Sequence, residues 1–315
     1  MKVLITGATG FIGTHLASFL HGKGDEVFGT YYELADLASS TRLQGIRLTQ
    51  CDIRSEEAVD SLVQVTKPDR IYHLAAQSLP VVSWKEPVLT IQTNVIGTIN
   101  LFESVIRNNL DARILVACSS AEYGIVSKDS VPVKEDHPLR PLHPYGVSKV
   151  AQDLLAYQYF VNFGVRSIRV RIFNTTGPGK TNDVCSDFAK RIAEIEKGLL
   201  PSVMKVGNTR TRRDITDVRD AVVGLYLAME KGVPGEVYNL SRGVAYRISD
   251  LLDILLNSSE ASISIEVAPE LLRPTDEPII VGDNTRLREQ VGWQPAMPIE
   301  KTLEDMLSHC RERTK

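Results

Sequence analysis

The sequence predicts an α/β protein, a doubly wound parallel sheet joined to a smaller C-terminal domain. Three observations carry this. Strand-like and helix-like segments alternate through the first half. A glycine-punctuated turn separates the first strand from the first helix. After Asn174 the rhythm breaks into loops carrying Pro178, Pro201, Pro234, Pro269, Pro274, Pro278, Pro295 and Pro298. Regular alternation of this kind implies parallel strands covered by helices on both faces.

Taken in order, residues 3–6 form a short apolar run rich in β-branched side chains, and a helical pattern runs from 14 to 20. Strands follow at 27–30 and 46–50, a helix at 56–65, and a buried strand at 71–75, bounded by Pro68 and Asp69. Residues 95–107 have amphipathic spacing, 114–118 read as a strand, 147–163 as a long helix and 165–172 as the next strand. Later helical patterns lie at 187–197, 220–229 and 249–256, with a short strand at 235–240. The expected division is a dinucleotide-binding domain over 1–173, to which segments within about 205–240 return, and a mainly substrate-binding domain over 174–315.

Bulk properties narrow the function classes. The chain has 315 residues, 43% hydrophobic and 24% charged, enough for one large or two modest domains. A net charge of -3 argues against nucleic acid or an anionic membrane surface as partner. Cys51, Cys118, Cys185 and Cys310 are scattered without CxxC spacing, which fits reduced thiols in a cytoplasmic enzyme rather than a disulfide framework or zinc site. The apolar start at residues 1–5 breaks at once into glycines and reads as a strand, not a signal peptide. No stretch approaches the ~20 apolar residues of a membrane helix.

Gly7, Gly10 and Gly13 sit directly between a strand and a helix, around Thr9, Phe11 and Ile12. A pyrophosphate needs close backbone approach and the positive end of a helix, and both are available here. The bland alternative is a tight strand–helix connection. The end of the second strand, with Thr30 and Tyr31, lacks the acid that grips the ribose 2′-hydroxyl of NAD. That favours NADP(H) and leaves NAD(H) open, since Arg42 is the nearest arginine in this stretch and is distant. Asp52 and Ile53, after the third strand, are candidates for the adenine, or an ordinary loop pair.

Tyr145 and Lys149 lie four apart at a helix start, on one face. A free phenol, with a pKa near ~10, is a poor base at neutral pH. An ammonium ~4 Å away, at an effective dielectric of ~20, would favour the phenolate by about 4 kcal/mol and bring it toward neutral pH. Ser119 ends the strand at 114–118, at the sheet edge where open α/β folds bind substrates.

Together, Gly7-x-x-Gly10-x-x-Gly13, His73-Leu74-Ala75-Ala76, Asn94-Val95-x-Gly97-Thr98, Ser119-Ser120-x-x-Tyr123-Gly124 and Tyr145-Gly146-x-Ser148-Lys149 resemble the extended short-chain dehydrogenase/reductase family, a Rossmann-like fold, over essentially the whole chain. Arg171-x-Phe173-Asn174-x-x-Gly177-Pro178-Gly179, the run from Arg213 to Val218, and Leu272-Arg273-Pro274 resemble its nucleotide-sugar branch, and within that the GDP-mannose-type reductases and dehydratases. The resemblance implies that Tyr145 is the general acid/base, Lys149 its electrostatic partner and a ligand of the nicotinamide ribose, and Ser119 a donor to the reacting sugar oxygen. It implies that Leu74, Ala75, Ala76 and Asn94 line the cofactor. It implies that Asn174 contacts the sugar nucleotide and that Arg213 and Arg273 hold its diphosphate. It also implies a homodimer, with the helices at 95–107 and 147–163 pairing across a two-fold axis.

Dehydratases of this branch carry an acid two positions after the catalytic hydroxyl, and here that position is Ala121. Glu122 is displaced by one residue, which on an extended segment turns its side chain away. The expectation is therefore reduction of the 4-keto group of a nucleotide-linked 6-deoxy sugar, with 4-epimerisation or 4,6-dehydration as alternatives and a non-enzymatic dinucleotide sensor as a remote one. His73 reads as structural, His143 as a loop residue, and Trp84 as a packed aromatic or a flank of the sugar pocket.

Overall fold

A computed structural model describes residues 1–34, 43–272 and 278–314. The first half runs β1 (Lys2–Thr6), α1 (Phe11–Gly22), β2 (Glu26–Tyr31), β3 (Arg47–Gln50), α2 (Glu56–Thr66), β4 (Arg70–His73), α3 (Pro80–Lys85), α4 (Pro87–Ile91), a π-helical turn (Gln92–Ile96), α5 (Gly97–Arg107), β5 (Arg113–Ser119), α6 (Pro144–Phe163) and β6 (Arg166–Ile172). The second half runs β7 (Asn174–Thr176), α7 (Val184–Glu196), β8 (Val203–Val206), β9 (Arg212–Asp217), α8 (Val218–Lys231), β10 (Val237–Leu240), β11 (Ala245–Arg247), α9 (Ile248–Asn257), β12 (Ser264–Val267), β13 (Ile279–Ile280), α10 (Thr285–Val291) and α11 (Ile299–Arg313).

Seven strands form one parallel sheet in the order β10-β6-β5-β4-β1-β2-β3. Its reversal between β1 and β4 opens a crevice at the strand carboxyl ends, the usual ligand position in doubly wound sheets. On one face, Leu16, Ala17 and Leu20 of α1 pack with Val218, Ala221, Val222 and Leu225 of α8. On the other, Val59, Leu62 and Val63 of α2 join Leu101, Phe102 and Val105 of α5 and Ala156 and Tyr159 of α6. After visiting the smaller sheets, the chain returns to the large one with β10 beside β6. A third core joins Phe188, Ala189 and Ile192 of α7, Leu251 and Leu255 of α9, and Leu303 and Met306 of α11.

Local chemistry sets the ends of the helices. The Ser55 hydroxyl caps α2 by accepting the Ala58 N–H at 3.2 Å, with Glu56 and Glu57 in the first turn. Helix α6 begins at Pro144, earlier than the expected 147, because proline suits the first helical position and His143 Nδ1 accepts the Gly146 N–H at 3.0 Å. Strand β4 stops at His73, so Leu74, Ala75 and Ala76 leave the sheet as irregular backbone. Among the described residues, no helix is long and apolar enough to cross a membrane.

Candidate active site

A cavity of about 1120 Å³ opens along the carboxyl ends of the strands and extends into the second half. Its first wall is the turn between β1 and α1. Gly7 has φ +72°, and a Cβ there would meet the Ala75 backbone at 2.9 Å. A Cβ on Gly13 would meet Ala8 Cα at 2.9 Å and overlap the Gly7 carbonyl. These glycines therefore allow a backbone cradle that no side chain could share. Gly10 caps α1 without a side-chain hydrogen bond, so the first-turn N–H groups are left for an anion. Cavity, cradle and open helix terminus fit a dinucleotide. Thr9, Phe11 and Ile12 line this wall, and Thr30 anchors the turn by accepting the Gly7 N–H at 2.9 Å.

Tyr31, Asp52 and Ile53 line the far end of the cavity, as do two residues that the sequence reading left out. Arg54 donates to both Asp52 oxygens, at 2.9 and 2.7 Å, and to the Tyr32 hydroxyl at 2.8 Å, with its guanidinium 5.4 Å from the Tyr32 ring centre. Parallel pairing of β2 with β3 brings it here, a proximity that spacing after β2 alone cannot reveal. Glu33 also reaches the lining, so the acid-free strand end extends only through Tyr32. Arg42 lies outside the described residues.

Leu74, Ala75 and Ala76 line the middle of the cavity. Asn94 does not. It is fully buried behind that wall, where its amide accepts the Gln77 N–H at 2.8 Å and donates to the Gln77 carbonyl at 3.0 Å and to Ser148 Oγ at 2.8 Å. It is held there by the π-helical turn, a widening often found near sites. His73 is buried between Thr6 and Thr98, at 2.8 and 2.9 Å. Burial and the Lys149 charge hold its pKa down to about 3.

Ser119, Tyr145 and Lys149 meet where β5 ends and α6 begins. Gly146 makes this possible, because a Cβ there would press on the Ala121 carbonyl and Pro141 at 2.8 Å. The Ser119 side chain stands against the Tyr145 phenol and favours its ionised form. Lys149 is buried and donates to the Ala117 carbonyl at 2.8 Å, with its ammonium 5.8 Å from the Tyr145 ring centre. One Lys149 N–H is thus turned toward a backbone carbonyl. Tyr145 is half-buried, and burial pushes its phenol up to about 12, with only Ser119 opposing. Burial also lowers Lys149.

The segment after Ser119 is a 3-10 turn (Ser120–Glu122), not an extended segment. Ser120 and Ala121 line the cavity. Glu122 points inward, fully buried. The expectation that it faces away from the substrate agrees with this placement, though the reason differs. His143 is more than a loop residue: it caps α6, lines the cavity and stacks 5.8 Å from Tyr145. Trp84 is 65% exposed and lines the cavity, so it is not a packed core aromatic.

In the second half, Asn174 and Arg213 line the cavity from neighbouring strands, and Asn174 Nδ2 donates to the Asp214 carbonyl at 3.2 Å. Arg273 lies outside the described residues. Lys180 is a further cation in the lining. It sits on a loop bent at Gly177, Gly179 and Asn182, with its ammonium 4.9 Å from the Phe11 ring centre. His15 Nε2 bonds the Pro178 carbonyl at 3.1 Å and ties that loop to α1. The run of glycines around Pro178 was the available signal.

Comparisons with known proteins agree with this architecture. The family model described as GDP-mannose 4,6 dehydratase matches residues 4–306. The chain is 28% identical, over 100% of its length and 98% of the relative's, to GDP-6-deoxy-D-mannose reductase of Pseudomonas aeruginosa. The solved structure of RMD from Pseudomonas aeruginosa complexed with NADPH superposes with a TM-score of 0.87 at 26% identity, over 100% of both chains. UDP-glucose 4-epimerase of Thermus thermophilus, solved as a complex with NAD, superposes with a TM-score of 0.86 at 26% identity, over 99% of both chains.

Proposed function

Because the chain belongs to the GDP-mannose 4,6-dehydratase family, within the nucleotide-sugar branch of the extended short-chain dehydrogenases/reductases, we propose that it is an NADP(H)-dependent reductase of the 4-keto group of a nucleotide-linked 6-deoxy sugar, GDP-4-keto-6-deoxy-D-mannose. One observation carries the choice of reduction over elimination. The turn that bears Ser119 offers Ser120 and Ala121 to the cavity and keeps its one carboxylate, Glu122, inside the protein. Loss of water needs a second proton-transfer group beside the sugar, whereas addition of hydride and one proton needs only Tyr145.

In this reading the glycine turn and the α1 terminus hold the pyrophosphate. Thr30, Tyr31, Asp52, Ile53 and Arg54 surround the adenosine, and Leu74, Ala75, Ala76 and Lys149 bound the nicotinamide riboside. The cofactor, when bound, supplies the hydride to carbon 4. Ser119 and Tyr145 hold the keto oxygen by hydrogen bonds, and Tyr145 gives its proton as negative charge develops there. Its raised pKa keeps that proton in place at neutral pH. Asn174 orients the sugar nucleotide, and Arg213, with Arg273, neutralises the diphosphate. Arg54, close to an acid-free strand end, supports the choice of NADP(H) over NAD(H), against which Glu33 stands at the rim.

The same reading includes a homodimer. Val147, Leu154, Tyr157 and Val161 leave an exposed apolar stripe along α6, and light scattering on the eluted protein should return twice the chain mass.

4-Epimerisation is the second reading, since Ser119, Tyr145 and Lys149 serve it equally and the likeness to the Thermus epimerase is nearly as close. The test is incubation with NADPH and GDP-4-keto-6-deoxymannose. Cofactor oxidation with a 6-deoxy-hexose product by NMR is expected. No oxidation, together with epimerisation of a plain nucleotide sugar, overturns the reductase reading.

A further inference from the structure

Beneath the catalytic serine lies a buried group of charges to which the reaction as described assigns no part. Glu122 Oε1 accepts the Ser119 N–H at 2.7 Å, while Ser119 Oγ accepts the Ala121 N–H at 3.2 Å, so the serine is clamped at backbone and side chain. Glu122 Oε2 is 3.2 Å from Arg171 Nε but accepts no hydrogen bond. Arg171 Nε donates to Asp153 at 2.9 Å, and its Nη1 donates to the Tyr123 hydroxyl at 3.0 Å and the Glu135 carbonyl at 2.8 Å. Here one oxygen clamps Ser119 and the other faces Arg171 across a buried ion pair.

The surroundings of Glu122 are set by three elements. From α6 come Asp153, Lys149 and the phenol of Tyr145, from β6 comes Arg171, and from β5 comes Cys118. Cys118, Glu122 and Asp153 present their ligand atoms within 4.8 Å of one another. A metal ion is a poor fit, because Arg171 stands against both acids and Arg169 Nη1 lies 2.7 Å from Asp153. The cationic places are already taken.

We propose that Glu122 is a positioning residue for proton transfer. It holds Ser119 in register with Tyr145, and once ionised at higher pH it holds the Tyr145 proton in place. Burial, reinforced by Asp153 and opposed by Arg171, pushes the Glu122 carboxyl up to about 8, so its charge builds as pH rises through that value. Ionised Glu122 raises Tyr145 and also Lys149, which favours the protonated form of each. Removing the charge should therefore lower the pH at which Tyr145 ionises. The inference rests on Tyr145 being the proton donor.

Two isolating variants test it. Glu122→Gln keeps an oxygen acceptor for the Ser119 N–H and removes the charge. Glu122→Asp keeps the charge and withdraws it from Ser119. Tyr145 ionisation is followed by NMR of tyrosine ring-carbon label in the protein without substrate, its signal identified by loss in Tyr145→Phe. The expected result is an earlier alkaline onset in Glu122→Gln, by about half a pH unit or more, with melting temperature near wild type. Glu122→Asp should keep the wild-type onset and lose about tenfold in kcat at unchanged KM, in whichever nucleotide-sugar reaction the wild type carries out. An unmoved onset in folded Glu122→Gln overturns the electrostatic role. Full kcat in Glu122→Asp overturns the clamp, and this arm stands even if the glutamine variant does not fold. The NMR readout needs no turnover, so a wild type that fails to reduce 4-keto sugars defeats the proposed function without deciding this one.

Discussion

The two halves of the molecule are held together by different means. In the first, a parallel ladder positions everything, and the ligand-facing groups come from motifs contiguous in sequence: Gly7 to Gly13, His73 to Ala76, Tyr145 to Lys149. In the second, short strands are gathered around buried carboxylates. Asp214 accepts the N–H groups of Arg242, Gly243 and Gly282 at 2.7, 2.9 and 3.2 Å. Asp217 caps α8 and accepts the Thr302 hydroxyl at 2.7 Å. Asp220 accepts the Ala296 and Met297 N–H groups at 3.0 and 2.8 Å. Under the proposed function, the cofactor seat is made of backbone, whereas the substrate seat is built from side chains recruited across long loops.

Substitutions that hit one half and spare the other test this division. The largest effect belongs to the seam. Tyr145→Phe should lower kcat about a thousandfold while cofactor affinity, measured by fluorescence titration, stays within about threefold. Loss of cofactor binding would move Tyr145 into the first half's seat. The wild-type pH profile bears on the same point. A phenol raised to about 12 is protonated across the working range, so reduction should not fall between about pH 7 and 9, while the reverse oxidation, which needs the phenolate, should climb about tenfold per pH unit.

Next comes the cradle. Gly13→Val must displace the Gly7 and Ala8 backbone, and cofactor affinity should fall more than about a hundredfold, with binding of the bare nucleoside diphosphate nearly unchanged by calorimetry. Arg213→Ala should do the converse. It should raise KM for the nucleotide sugar by about 10- to 100-fold, the loss of one charge-assisted contact, without touching cofactor affinity. The smallest effect is expected for His15→Ala, which unties α1 from the Pro178 carbonyl. A drop of about 1 kcal/mol in stability, with a few-fold change in both KM values, would show that the halves communicate there. Complete indifference would make the clasp incidental.

The same contrast explains what was legible in the sequence. Period-3.6 and period-2 patterns disclosed the sheet and its covering helices because those elements bury one continuous face. The stretch holding α3, α4 and the π-helical turn was not legible, since its short helices, opened by Pro80 and Pro87, bury no continuous periodic face. Most residues expected in the site do share one cavity, because their motifs ride on adjacent strand ends. Asn94 stands behind the wall instead, supporting it. Arg54 and Lys180 were overlooked, and His143 was read as a loop residue, because only pairing of β2 with β3, a glycine-bent loop and a helix cap carry them to the cavity. Spacing on a helix face locates Lys149 but does not disclose the Ala117 carbonyl to which it donates.

The place of β10 bears on how the protein is made. This edge strand closes the large sheet against β6 and carries the buried Tyr238 and Leu240, yet it follows β6 only after the whole detour from Asn174 to Lys231. During synthesis the nascent chain therefore emerges with the β6 edge bare, its amides and carbonyls available to any other extended segment. Release from the ribosome tunnel of residues 237–240 is the moment at which mispairing ends. A chain terminated just short of Val237 should be captured by holding chaperones, and one terminated just beyond the α8–β10 unit should escape them.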